Sequence, residues 1–256
     1  MKILMPLPSY GFDPTEAAIP WKLLTDHGIE VVFTTPNGKA GAADRLMLSG
    51  DKLGIWKPLL KARADAVDAY NEMVKDASFC DPQGYATAQE GDFDAIYLPG
   101  GHDKAVKEYM ESDLIQRLVV DFFAAQKPVA AICHGVVLVA RSTDPATGKS
   151  VIHDFRTTAL LKSQELAAYN LTRLWMGDYY LTYPETTVEE EVSTALSDPK
   201  NFLSGPKPLF RDSLKHLERG FVVKDRNYLS ARWPGDVYSL SMELTNLMNT
   251  GRTQTH

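Results

Sequence analysis

The sequence predicts a doubly wound α/β fold: a mostly parallel sheet sandwiched by helices, with helical covering segments laid over it. Three observations predict this. Short apolar runs recur at residues 2–7, 29–35, 92–98 and 128–132, and the last reads as a strand buried on both faces. Stretches of helical spacing separate them, so that strand, helix and strand follow in the order that implies a right-handed crossover. Glycine-bearing turns close the runs at Asn37-Gly38, Gly100-Gly101 and Gly135.

Lys2 to Leu7 is the first strand. Asp13-Pro14 then supplies an N-cap and a first-turn proline for a helix through Ala17, Ile19, Trp21 and Leu24 to Gly28, despite Pro20 inside it. Glu16 falls in the first turn, where it either complements the helix dipole or serves a site beyond the strand end. Ile29 to Thr35 is the second strand. From about residue 41 to 89 the pattern is less regular, and Leu53 to Val74 has the spacing of a covering helix. Asp92 to Leu98 is the third strand. It runs into Pro99-Gly100-Gly101-His102-Asp103, whose glycines free the backbone to turn amides toward a bound group. Asp113 to Gln126 is an amphipathic helix leading to the strand Pro128 to Ile132.

After Ser142 to Lys149, a loop, a short strand is expected at Arg156 to Leu160. A second covering segment, about residues 169–217, is aromatic and acidic. Its triplet Glu189-Glu190-Glu191 reads as a solvated helix face and its aromatics as core or interface. Gly220 to Asp225 and Tyr228 to Arg232 form two strands about a turn, a helix follows from Pro234, and Thr250 to His256 is a polar tail. The whole, residues 1–256, reads as one domain with covering segments at about 41–89 and 169–217.

Composition narrows the function. With 44% hydrophobic and 23% charged residues the chain is an ordinary globular protein. Its 27 basic residues against 33 acidic ones leave a net charge of −6, which disfavours nucleic acid as a partner. The N-terminal apolar run is broken by Pro6 and Pro8 and is too short for a signal segment or membrane span. Two cysteines, Cys80 and Cys133, make neither a disulfide framework nor a metal site, and a reducing cytoplasm fits that usage. No metal site is expected near the acidic triplet, because no His lies beside it at ligand spacing.

The chemistry centres on Cys133. It sits where a buried strand gives way to a helix carrying Val137, Leu138 and Ala140, so its side chain projects above the sheet edge near the amides of that helix. Such a setting favours thiolate over thiol. The alternative is that Cys133 is a small buried hydrophobe. His134 directly after it and Gly135 beyond suit a tight turn.

Taken together, Ser9-Tyr10, Glu16-Ala-Ala-Ile-Pro20, Phe33 to Gly41, Asp94 to Asp103 and Ala131 to Gly135 resemble the ThiJ/PfpI superfamily. That superfamily is kin to the class I glutamine amidotransferase fold, and the chain is most similar to its heat-shock chaperone/glyoxalase III group. The resemblance weakens from Tyr169 to Leu217. It implies a flavodoxin-like sheet, Cys133 as nucleophile, His134 as its acid/base partner and Glu165 as the acid orienting that His. It also implies Glu16 as hydrogen-bond partner of the sulfur, and Gly101 with the His134 amide as oxyanion hole. Glu165 also fits an exposed dipole partner, with Gln164 or a later acid as rivals for its place, and His102 either lines the pocket or makes a structural hydrogen bond. Val136 stands where many relatives carry Pro or a small residue, and His102-Asp103 replaces a commoner His-Gly.

The function so implied is a cofactor-free, metal-free, glutathione-independent glyoxalase III-type enzyme that converts small 2-oxoaldehydes such as methylglyoxal to 2-hydroxy acids, working as a cytoplasmic homodimer. Two other readings stay open: a stress-linked holding chaperone or redox-responsive protein, and an amidase or peptidase on the same Cys-His pair.

Overall fold

The apolar run at the N-terminus becomes β1 (Lys2–Pro6), in which Ile3, Leu4 and Met5 are fully buried. The computed structural model describes residues 1–253. β2 (Glu30–Thr35), β3 (Gln83–Gly84), β4 (Ala95–Leu98) and β5 (Val129–Ile132) follow, then β6 (Val222–Asp225) and β7 (Tyr228–Ala231). The seven strands form one sheet in the order β6-β7-β5-β4-β1-β2-β3. All neighbours are parallel except β6 and β7, which pair antiparallel from Val222 opposite Ala231. β4, β5 and β7 are buried at every position, as strands covered on both faces must be.

The order reverses between β1 and β4. From β1 the chain moves one way to β2, and from β4 it moves the other way to β5 and β7, so right-handed crossovers place the helices on opposite faces. One layer holds α1 (Pro14–Asp26), packed against α2 (Ala64–Met73) and against α7 (Val237–Thr253). The other holds α3 (Asp113–Ala124) and α4 (Gly135–Arg141), which touch each other and β5. At such a reversal the carboxyl ends of neighbouring strands leave a crevice between their departing loops. The loops after β1, β4 and β5 all open there.

Two sequence expectations need correction. Leu53 to Val74 is not one helix: a 3-10 turn at Gly54–Trp56 and the short helix Lys57–Leu60 precede α2, and the chain breaks around Lys61-Ala62-Arg63. Ala62 N spends its hydrogen bond on Met47 O, 3.0 Å away, which takes this stretch off the helical path. Arg156 to Leu160 is no strand either. Thr157 makes a single parallel bridge to Phe202, and its hydroxyl lies 3.1 Å from both Tyr228 Oη and Ser230 Oγ. The C-terminal stretch expected as a polar tail is helical to Thr253, and residues 254–256 lie outside the described residues.

The second covering segment runs from the end of α5 (Lys162–Met176) through α6 (Val188–Thr194). The acidic triplet on α6 is not merely solvated. Glu191 takes a two-pronged ion pair from Arg141 at 2.6 and 3.0 Å, Glu189 accepts from Lys162 N, and Glu190 closes a capping box with Thr187. Tyr183 joins the same cluster, accepting from Arg141 Nη1 and donating to Glu111. These contacts tie the covering segment to α4. Among the described residues no helix is long and apolar enough to cross a membrane.

The edge of the fold holding β6 and β7 depends on a buried ion pair. Arg232 is 1% exposed, and its Nε and Nη2 donate to the two oxygens of Asp236 at 2.8 and 2.9 Å. Asp236 also accepts from Phe221 N at 3.0 Å, so both its oxygens are used. Removing one partner strands a buried charge, which costs about 3–5 kcal/mol. Asp236→Ala should therefore lower the unfolding free energy in urea by about that amount.

Candidate functional site

Cys133 takes φ = +56°, a left-handed conformation uncommon for a residue with a side chain. Its neighbours impose it. Cys133 N donates to Ala231 O at 3.1 Å, ending the β5–β7 ladder, while Val136 N and Val137 N already bond back to Cys133 O and His134 O to open α4. The chain turns from strand to helix within these residues. Holding a non-glycine residue so costs about 1–3 kcal/mol, strain of the kind that gathers at working sites.

The turn is tight because α4 starts under the end of β4. A Cβ on Gly135 would stand 2.2 Å from Leu98 O, and one on Gly100 would stand 2.7 Å from His134 N and 2.9 Å from Glu16 Oε2. Neither place admits a side chain. The two glycines thus bring the loops after β4 and β5 to Glu16, whose helix is set by Asp13: Oδ1 of that residue accepts from Thr15 N at 2.7 Å and Glu16 N at 3.1 Å.

Glu16 is fully buried. Its Oε2 accepts from Gly100 N at 2.9 Å, while Oε1 has no hydrogen-bond partner, with the Cys133 thiol the other polar group against the carboxyl. Burial first, and then the charge of Asp13, pushes its carboxyl well above the ordinary range. Cys133 is 1% exposed. Burial, followed by the carboxyls of Glu16 and Asp13, raises its thiol well above the usual value, which corrects the expectation of a resting thiolate. The helix amides are present, but desolvation outweighs them.

His134 Nδ1 lies 3.4 Å from Cys133 Sγ. Its Nε2 lies 3.1 Å from Thr182 Oγ1, and that hydroxyl donates its only hydrogen to His102 O at 2.9 Å. The hydroxyl must then accept from Nε2–H, which fixes the tautomer: Nδ1 is the bare nitrogen facing the sulfur. Burial and the neighbouring His102 hold His134 well below its ordinary pKa, so the resting pair is neutral thiol and neutral imidazole.

Glu165 does not fill the orienting place expected of it. Its Oε2 accepts from Val188 N at 2.9 Å, at the start of α6, and its pKa is raised to about 7 by burial and then by Glu190 and Glu191. Thr182 holds His134 instead. Nothing in the sequence singled out Thr182, since a threonine distant in the chain carries no periodic signal. Its only trace was its place in the aromatic stretch around Tyr179-Tyr180-Leu181-Thr182-Tyr183.

His102 packs edge-on against His134 with ring centroids 5.0 Å apart and against Tyr180 at 5.1 Å. Its Nδ1 is buried without a partner, and burial lowers its pKa to about 4. Gly101 lies in the same turn, against Gly11 and Phe12. A cavity of about 230 Å³ is lined by His102, Asp13, Tyr180, Glu165 and Trp233 among others. Both covering segments contribute to its wall, Met47 and Leu60 from the first and Tyr180 and Leu209 from the second. The other cysteine, Cys80, is exposed, with its thiol 3.3 Å from Val74 O. Among the described residues no group of three or more His, Cys, Asp or Glu side chains is placed to hold a metal ion.

Comparison with known proteins agrees with this architecture. An uncharacterised protein of Schizosaccharomyces pombe is 28% identical over 97% of this chain and 84% of its own length. The glutathione-independent glyoxalase hsp3101 of the same yeast is 27% identical over 61% of each chain. In structure, glyoxalase III from Candida albicans superposes with a TM-score of 0.68 over 96% of this chain and 97% of its own, at 15% identity, a likeness of fold. The family profile described as ThiJ/PfpI family-like matches residues 7–205. That span takes in Glu16, Gly100, Gly101, Cys133, His134, Glu165 and Thr182, and the chain belongs to the ThiJ/PfpI-like family.

Proposed function

We propose that this protein is a glutathione-independent glyoxalase of the glyoxalase III type, converting a 2-oxoaldehyde and water to a 2-hydroxy acid. The observation that carries the reading is the Cys133–His134–Thr182 chain, in which a bare Nδ1 faces a thiol and the opposite nitrogen is held in the matching tautomer. The glyoxalase activities in the names of the two relatives support it.

Neutral resting groups set the order of events. His134 Nδ1 takes the thiol proton as Cys133 Sγ bonds to the aldehyde carbon, and the carbonyl π electrons move to oxygen. The Gly101 and His134 amides receive that oxygen charge, and the imidazolium then protonates it to a hemithioacetal. The freed Nδ1 next removes the C–H proton of the former aldehyde carbon. The electrons pass through an enediolate, the hydroxyl proton shifts from the first oxygen to the former ketone oxygen, and the abstracted proton returns to the former ketone carbon, leaving a thioester of the 2-hydroxy acid. Water cleaves the C–S bond and the thiol is restored, so no oxidant or reductant is consumed. Glu16, protonated, offers its Oε1–H to the sulfur while the sulfur carries charge, which satisfies the one oxygen otherwise orphaned.

Thr182 takes the orienting role that the sequence pointed to in Glu165, and Glu165 joins α5 to α6 at the cavity wall. A redox-sensing role loses support, because ready oxidation needs an accessible thiolate and Cys133 is buried and pushed up. A holding chaperone is a second reading, favoured by exposed apolar side chains such as Ile55 at 83%, Leu174 at 89% and Leu209 at 72%. It is separable, since that surface does not involve Cys133.

With methylglyoxal as substrate and no glutathione, Cys133→Ala should lower lactate formation about a thousandfold or more. Thr182→Val should cost about 10- to 100-fold in kcat, with recovery in Thr182→Ser, because only a hydroxyl fixes the tautomer. The Glu165 carboxyl has its folded pKa raised, so the stability it favours is complete below its ordinary pKa of 4.5 and is lost as pH rises through about 7. The Glu165 share of that loss, about 3 kcal/mol, should appear as the difference between urea titrations of the wild type and of Glu165→Gln across that window.

A further inference from the structure

The cavity beside the site is too large and too apolar for the smallest 2-oxoaldehyde. Apolar side chains such as Met47, Leu60, Leu160, Leu171 and Trp233 make the body of its lining, and Asp13, His102, Gln164, Glu165, Tyr180 and Arg211 are its polar members. An apolar protein cavity of about 150 Å³ is known to take up benzene. At about 230 Å³ this one holds a benzene-sized group and leaves room for a two-carbon oxoaldehyde head. Methylglyoxal would leave much of that apolar body facing water or void, losing the contacts that a larger substituent would make.

The cavity joins the site through two of its lining residues: His102 packs on the His134 ring, and Asp13 caps the helix that carries Glu16. Residues of both covering segments complete its wall. Tyr180 supplies a second, independent pointer: it is 2% exposed, packs on His102 and lines the cavity, yet its hydroxyl has no hydrogen-bond partner. A buried hydroxyl left so forfeits a hydrogen bond, which an acceptor brought by a ligand restores. A ketone oxygen next to the reacting aldehyde is such an acceptor.

We propose that the substrate is a 2-oxoaldehyde whose ketone carbon bears an aryl or branched alkyl group of about benzene size. That group fills the apolar body, and Tyr180 Oη donates to the ketone oxygen. The proposal rests on the reading of Cys133 as nucleophile toward 2-oxoaldehydes, and it adds the substituent and the group that recognises it. The bond changes are those given above, with a larger group on the ketone carbon.

Initial rates for phenylglyoxal and methylglyoxal, followed by mandelate and lactate formation, test it together with calorimetric binding of acetophenone to Cys133→Ala protein. In the wild type, kcat/KM should favour phenylglyoxal by about tenfold or more, since pockets of this kind discriminate by about that factor per methylene-sized difference. Ala168→Trp and Leu171→Trp, which fill the apolar body from two positions, should each reverse or erase that ratio. Tyr180→Phe should lower kcat/KM for phenylglyoxal about tenfold and, combined with Cys133→Ala, weaken acetophenone binding. Equal or better turnover of methylglyoxal, with no acetophenone binding, would overturn the substituent and leave the Cys133 reading standing. Turnover of neither aldehyde would end the glyoxalase reading, and acetophenone would then decide the cavity. Saturable binding lost in the tryptophan variants upholds an aryl-carbonyl site, and no binding removes it.

Discussion

The start of α4 passes so close beneath Leu98 O that only a hydrogen fits on the Gly135 α-carbon. From that one approach the rest of the site follows. It sets the depth at which α4 begins, which forces Cys133 into its left-handed turn. It also draws the loop after β4 against His134 N, where Gly100 must lack a side chain as well. Glu16 reaches the same spot because its carboxyl accepts from Gly100 N, so the loops after β4 and β5 meet through backbone contact and α1 joins them through one buried carboxyl. Sites held by backbone in this way need little side-chain ordering when a substrate arrives.

The second governing constraint is the absence of solvent. Cys133, His134 and Glu16 are all at or below 1% exposed, and burial is the first cause of every shift among them. Each is driven to its neutral form. The usual picture of a helix start lowering a thiol pKa fails here because the nearest carboxyls and the loss of water act together against charge. A buried set of neutral groups is stable at rest, and the charge separation of reaction is met by groups already in place.

Much of this was legible in the residues. The buried strands, the Asp13-Pro14 cap that places Glu16, the paired glycines after β4 and the elbow at Cys133 are local signals, each written in a few consecutive residues. What escaped was long-range. Thr182 reaches His134 across 48 positions, and Glu165 meets Val188 N across 23, with no spacing rule linking either pair. Thr157 and Thr158 have the composition of a strand, yet beyond the single bridge of Thr157 to Phe202 the Thr157 hydroxyl and Thr158 N turn to Ser230 and Tyr228 instead of continuing a ladder. The acid triplet looked solvated because Arg141, the residue that claims Glu191, lies 50 positions away.

The two cysteines occupy opposite extremes, and this bears on how the protein is handled at the bench. Cys80 is open to solvent, whereas Cys133 is sealed behind the covering segments and uncharged. A bulky maleimide or dye will mark Cys80 first, so a thiol count or a fluorophore placed this way reports on the outer surface and leaves the elbow untouched. Replacing Cys80 with serine leaves Cys133 as the one thiol in the chain, so labelling of that variant reports exposure of the elbow itself.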